Sequence, residues 1–405
     1  MNVLFLTITS FTDISARGIY PDLLRTFVEQ GHTVYIVSPR ERRYHVSTGV
    51  EKQGNVSILG VKTLNIQKTN VIEKGIGTVL LEYQFKSAIK KYLGGIPFDL
   101  ILYSTPPITF PKVIQYLKMK NPKAVTYLLL KDIFPQNAVD LGMMSKTGLK
   151  GLLYRFFRNK EKKLYSMSDY IGCMSPANVQ YVLAHNPEVP ADRVEVAPNS
   201  YQVQEPVLLT REQRGAIRSK YGLPLDRPIF IYGGNLGKPQ GIPFLIRCLE
   251  ANANRQDCHF VVIGNGTEAA RLQAWFRSGE KASVSVFDKL PKEDYDTLVR
   301  SCDVGMVFLD YRFTIPNYPS RLLPYLMEKK PVLAATDVNT DIGRIAEENG
   351  YGLWCPSNSV EAFTETMDRM LRADIPAMGE AGYRFFLDHY TAAHTYHTII
   401  QHIGE

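Results

Sequence analysis

Short apolar runs rich in Val, Ile, Tyr and Phe recur along this chain at near-regular intervals, and most are separated by stretches of helical periodicity. In the first half they are NVLFLTI, HTVYIVS, VSILGV, DLILYS, AVTYLLL and DYIGCM. In the second half they are RPIFIYGG, CHFVVIG, VSVFDKL, CDVGMVFL, KPVLAAT and YGLWC. Between them lie segments such as IYPDLLRTFVEQG, where Leu23, Leu24 and Phe27 make one apolar face and Gly31 supplies a C-cap. Strands that are apolar without alternation must be covered on both faces, and intervening helices provide that cover. The pattern predicts an α/β chain with two mostly parallel, doubly wound sheets of similar size.

A chain of 405 residues with 45% apolar composition is too long for one ordinary core, which agrees with two domains. The join is expected near VEVAPNSYQVQEP, where a strand ends in Pro198-Asn199 and a polar stretch precedes the helical segment TREQRGAIRSKYG. The expected division is therefore 1–200 and 201–388, with a terminal helix over 389–405 packing back on the first domain. Cys173, Cys248, Cys258, Cys302 and Cys355 form no CxxC pair, which argues against a disulfide framework or zinc site and for a reducing, cytoplasmic setting. The N-terminus lacks a basic leader and turns polar too early for a signal peptide or membrane span. A net charge of +7 suits anionic small molecules or an anionic membrane surface, and is too dilute to indicate nucleic-acid binding.

Ligands of parallel sheets bind outside the carboxyl ends of the strands. The segment IFIYGGNLGKPQGIPFLI places Gly233, Gly234 and Gly237 at such an end, before a helix expected to begin near Gln240. Its free amides and positive dipole end suit a phosphate; the alternative is a tight strand-to-helix turn with no ligand. A neighbouring strand ends in a second turn, with Gly264, Asn265 and Gly266 in VVIGNG. In NYPSRLLPYLMEKK, Asn317, Ser320 and Arg321 sit at an expected first helical turn. Ser320 would cap that turn, and Arg321 would offer a planar fork to phosphate oxygens in a place where a cation opposes the helix dipole.

GGNLGKPQG, VVIGNG and PSRLLPYLMEKKPVLA, with YSTPPIT, KDIFPQN and APNS in the first half, resemble the family 4 glycosyltransferases of the GT-B fold. The likeness is to the branch of bacterial O-antigen and capsular polysaccharide enzymes that use nucleotide-activated amino or deoxy sugars (fucosamine-type). It implies two Rossmann-like domains facing across a cleft, the second holding a nucleotide-sugar donor and the first an acceptor, and transfer with retention of configuration. The family's diphosphate-binding Arg and Lys positions are Asn235 and Gln240 here, so the charge is assigned to Lys238 and Arg321. Lys289 stands where relatives carry a glycine beside the base, and the family's paired glutamate positions are Pro316 and Pro324, leaving Glu328 as a substitute carboxylate.

Sugar transfer needs charge stabilisation at the departing diphosphate, which Lys238, Arg321 and the turn amides would supply. Asp132 ends the strand AVTYLLLK; it either directs a carboxylate into the interdomain cleft or caps the turn beside Pro135. Arg17-Gly18 resembles the family's first-domain glycine loop, which approaches donor phosphate. No metal is expected: Asp294 and Asp296 lie two apart on a predicted helix and do not share a face, and His394, His397 and His402 read as surface or packing residues. No cofactor is expected beyond the nucleotide sugar itself. Residues 150–165, KGLLYRFFRNKEKKLY, mix apolar and basic side chains and read either as a contact with anionic lipid or as an ordinary crossover helix; the resemblance implies a peripheral enzyme at the cytoplasmic face of the inner membrane, acting on a glycan or polyprenyl-diphosphate-linked acceptor. A GT-B sugar-nucleotide epimerase is the main alternative. A dehydrogenase is disfavoured because no complete GxGxxG follows the first strand, and a non-catalytic sugar-nucleotide binder is kept open by Pro316 and Pro324.

Overall fold

The computed structural model describes residues 1–66 and 71–403. It divides into two units, Met1–Gln202 with Thr391–Glu405, and Val203–Tyr390.

The first unit contains strands β1 (Asn2–Leu6), β2 (Thr33–Glu41), β3 (Gly49–Gln53), β4 (Val56–Thr63), β5 (Leu100–Ser104), β6 (Val125–Leu130), β7 (Tyr170–Cys173) and β8 (Val194–Val196). They form a sheet in the order β3-β4-β2-β1-β5-β6-β7-β8. Every pairing is parallel except β3 with β4. The edge strand β3 was not anticipated, because GVEKQ has no apolar run; it pairs as a hairpin with the strongly apolar β4 rather than through burial of its own. Helix Ile19–Glu29 buries Leu23, Leu24 and Phe27 against a core that includes Val3, Phe5 and Ile36. Helix Ala392–Ile400 joins the same core through Tyr396 and Ile399. The Tyr396 ring meets Phe27 edge-on at 4.8 Å, and its hydroxyl lies 2.8 Å from His32 Nε2. Gly404 and Glu405, the end of the expected terminal helix, lie outside the described residues.

The second unit contains β9 (Ile229–Asn235), β10 (His259–Asn265), β11 (Val284–Phe287), β12 (Val304–Phe308), β13 (Val332–Thr336) and β14 (Gly352–Pro356), ordered β11-β10-β9-β12-β13-β14 and parallel throughout. Its strand interiors, Phe230, Phe260, Val262, Met306, Phe308 and Leu333 among them, are sealed from water by helices, as the unbroken apolar runs require. The five cysteines are free and buried. No helix among the described residues is long and apolar enough to cross a membrane.

Candidate functional site

In the second unit the two glycine turns are neighbours in register: Gly234 pairs with Gly264 and Asn235 with Asn265. Their glycines serve close packing. A Cβ on Gly264 would lie 1.9 Å from the Gly234 carbonyl oxygen, and one on Gly266 would lie 2.4 Å from that of Leu236. At Gly233 the space is filled by a side chain from another element, since a Cβ there would lie 2.1 Å from the Tyr295 hydroxyl. Gly234 has φ of 122°, a value that L side chains rarely adopt.

Arg321 comes to the same strand end. Its guanidinium carbon lies 4.4 Å from the Tyr232 ring centroid, and Nη1 donates to the Gly233 carbonyl at 3.2 Å. Tyr325 fixes the strand from below: its hydroxyl accepts from the Gly233 amide and donates to the Ile231 carbonyl, each at 3.1 Å. Burial pushes the Tyr325 hydroxyl up to about 12, and the Arg321 charge opposes that rise, so the phenol stays a neutral donor. Tyr232, Tyr295 and Tyr325 were missed in the sequence because each falls in a segment whose period reads as core or as a solvated helix face.

Several expectations change in detail. The segment after β9 is a 3₁₀ turn, Lys238–Gln240, and the helix starts at Ile242 with Pro243 in its first turn. The loop amides expected to cradle a phosphate are largely engaged within the protein. Those of Leu236, Gly237, Gln240 and Gly241 donate to Asn265 O, Gln240 Oε1, Gly237 O and Lys238 O. Asn235 Nδ2 also donates to Gln240 Oε1, at 3.1 Å, so these two residues form an amide clasp. Lys238 is exposed on the 3₁₀ turn. Ser320 does not cap: helix Leu322–Met327 has Arg321 at its N-cap and no side-chain cap bond. Asn317 is half-buried, its carbonyl accepting from Thr340 Oγ1. Lys289 is exposed, past the end of β11 at Phe287, because the chain turns polar at Asp288. Glu328, the expected substitute carboxylate, is paired with Arg300 Nε at 3.0 Å.

In the first unit Asp132 follows β6. Its carboxyl accepts from Asn137 Nδ2 at 2.7 Å, and burial raises it from the usual value of 3.8 to about 6. Lys131 Nζ donates to the Ala197 carbonyl at 2.9 Å, and desolvation lowers its ammonium to about 7. The Gly18 amide is engaged by Asp22 Oδ1 at 3.0 Å as the helix Ile19–Glu29 begins, so it does not present a free donor; Arg17 lies 5.9 Å from the Tyr201 ring centroid. Asp294 pairs with Lys220 and Asp296 with Lys292, and no group of three potential metal ligands occurs among the described residues. His402 stacks on Tyr170 at 3.6 Å and lies 2.9 Å from Glu195 Oε1.

Helix Gly148–Ser166 carries the basic and apolar segment. Leu149, Leu152, Leu153 and Phe156 are exposed, whereas Phe157 turns to the Phe134 ring at 5.1 Å. Arg158, Lys160 and Lys162 are committed to Glu161, Glu82 and Glu188. The Lys160 bond reaches helix Val71–Tyr92, which exposes Val79, Leu80 and Tyr83.

Residues 213–383 match the family described as glycosyl transferases group 1. A probable glycosyltransferase WbjE of Pseudomonas aeruginosa is 24% identical over 318 residues, 77% of this chain and 75% of that one. A putative colanic acid biosynthesis glycosyl transferase WcaI of Escherichia coli (strain K12) is 24% identical over 250 residues, 61% of this chain and 60% of that one. The crystal structure of Anabaena HepE in complex with UDP and glucose superposes with a TM-score of 0.66 at 13% identity, covering 99% of this chain and 98% of that one. The fold is GT-B, with two parallel-sheet α/β units, and the chain is a glycosyltransferase. The epimerase alternative gains no support from these likenesses.

Proposed function

We propose that this glycosyltransferase moves a sugar from a uridine diphosphate donor to a glycan or polyprenyl-diphosphate-linked acceptor during surface polysaccharide assembly, with retention of configuration and without a metal. The observation that carries the reading is Arg321, stacked on Tyr232 and aimed along the Gly233 carbonyl at two adjacent glycine-bearing strand ends. A pre-oriented cation at such an edge stabilises the charge that develops on a departing diphosphate. Because four loop amides are already engaged, Arg321 carries more of this work here than a helix terminus would. Lys238 supplies a second cation on the 3₁₀ turn. The leaving phosphate itself takes the acceptor proton, so the protein need not supply a base, and Asp132 contacts the reacting sugar. The UDP bound in the HepE structure and the WcaI name support the donor class and the pathway. The test is a thermal-shift screen across UDP-, GDP- and dTDP-sugars. Stabilisation by UDP compounds alone is expected, lost in Arg321→Ala; an unchanged shift in that variant removes Arg321 from the site.

The exposed apolar side chains of helix Gly148–Ser166, with Lys150 and Arg155 beside them, favour contact with an anionic membrane surface at the cytoplasmic face, where a polyprenyl-linked acceptor would be presented.

A further inference from the structure

Four arginines and two aspartates line one cavity of about 460 Å³ at the amino ends of the second sheet's strands. Arg211, Arg214 and Arg218 stand on one stripe of helix Arg211–Lys220. Arg227 and Asp226 come from the turn that enters β9, and Asp303 from the turn that enters β12. The cavity opens to solvent past Arg211 and Asp226, both exposed, and its size is that of a small-molecule cleft.

Only part of this charge is neutralised within the protein. Arg214 and Arg218 both bind Asp303, the second through Nη2 at 2.7 Å, and both donate to the Ser301 carbonyl. The buried Arg218 also donates through Nη1 to the Arg227 carbonyl at 3.1 Å, so one side chain holds the two turns together. The other carboxylate, Asp226, is 71% exposed and meets Arg227 Nε at 3.1 Å. Arg211 makes no ion pair among the described residues. Four guanidiniums against two carboxylates leave a surplus of two positive charges in a recess, where the field is focused. Arg211 and Arg214 are also like charges three residues apart on a helix, an arrangement that an anion between them would relieve. The field reaches the next strand. His259, whose amide donates to the Pro228 carbonyl at 2.9 Å, has its imidazole pushed down to about 4 by burial, with the Arg227 and Arg218 charges adding to the effect. Guanidinium forks, unlike ammonium groups, match phosphate oxygens two at a time.

We infer that this cavity is an anion site for a small, soluble phosphorylated molecule, whose phosphate is gripped between Arg211 and Arg227. A recess, rather than a flat basic and apolar face, suits a soluble ligand and not a lipid surface. The seven residues of β9 put about 20 Å between this edge and Asn235. The site is therefore distinct from the one proposed for the donor and does not rest on that reading.

The test is calorimetric titration of the full chain with inorganic pyrophosphate at low ionic strength, in an Arg321→Ala background that removes the cation of the donor edge. Pyrophosphate should bind that chain. Adding Arg211→Ala with Arg227→Ala should weaken binding at least tenfold. Arg211→Lys with Arg227→Lys, which keeps the charge and loses the fork, should still weaken it at least threefold. Absence of binding to the Arg321→Ala chain, unchanged binding after the alanine pair, or full binding by the lysine pair overturns the site. Should the alanine pair not fold, the His259 ring protons of the Arg321→Ala chain, identified by their loss in His259→Gln, decide in its place: a shift on adding pyrophosphate supports the site and no shift overturns it. Pyrophosphate binding lost with the alanine pair, in a protein whose wild type never responds to UDP, would support this site and sink the donor reading.

Discussion

The Arg321 guanidinium rests 4.4 Å from the centroid of the Tyr232 ring, and one of its nitrogens is bonded to the carbonyl of the next residue, Gly233. Ring and carbonyl together hold the guanidinium in place, so an anion binding there would meet a cation that is already ordered.

Removing that cation should weaken transfer. A hydrogen bond to a charged group contributes about 1.5–3 kcal/mol, so Arg321→Ala should lower kcat/KM by roughly 10- to 150-fold. Arg321→Lys should recover little, because an ammonium has neither the fork nor the flat face that stacks on Tyr232. Tyr232→Leu should cost less, roughly 2- to 30-fold, in line with a cation–π contact of about 0.5–2 kcal/mol. Steady-state kinetics on the three variants checks the order.

Gly233→Ala and Gly264→Ala should both destabilise the second unit, by different routes. The first drives a methyl into the Tyr295 side chain, and the second into the backbone oxygen of Gly234. A side chain can be trimmed and a backbone cannot. We therefore expect Tyr295→Ala to reduce the cost of Gly233→Ala in a double-mutant cycle and to leave that of Gly264→Ala unchanged, read from urea midpoints.

Stability should depend on pH through Asp132 and Lys131 with opposite slopes. Burial raises the Asp132 carboxyl from 3.8 to about 6, so the folded chain holds the proton more tightly, and unfolding free energy falls as pH rises through that window. Desolvation lowers Lys131 from 10.5 to about 7, so the folded chain releases its proton first, and stability rises with pH between those values. Asp132→Asn should flatten the acid limb and Lys131→Met the alkaline one in urea titrations across pH.

If helix Gly148–Ser166 meets lipid, Leu152→Asp with Phe156→Asp should abolish flotation with vesicles of phosphatidylglycerol while leaving the UDP thermal shift unchanged. Both side chains are exposed, so the fold should tolerate the change. Equal flotation of the variant and wild type would show that the apolar face does not carry the contact. Raising salt should weaken binding of wild type through Lys150 and Arg155.

The alternation of apolar runs and helical stretches was sufficient to specify two parallel sheets, because burial on both faces leaves its mark on each strand separately. The glycine turns at β9 and β10 were legible as turns from residues without a Cβ, whereas the close approaches that fill them, Tyr295 at Gly233 and the neighbouring strand at Gly264, came from tertiary structure. The strand β3 was not legible, since its pairing comes from β4 and its own residues are polar.

What surrounds Arg321 was decided only by tertiary structure. Tyr232, Tyr295 and Tyr325 meet Gly233 from a strand and two separate helices, and nothing in their own segments distinguishes them from core or surface residues. The Asn235–Gln240 clasp and the Arg300–Glu328 pair are likewise contacts that the spacing of their motifs did not reveal. The physical reason is range: backbone conformation and burial periodicity act over a few residues, whereas hydrogen bonds and ring contacts are settled by whichever distant groups the sheet order brings together.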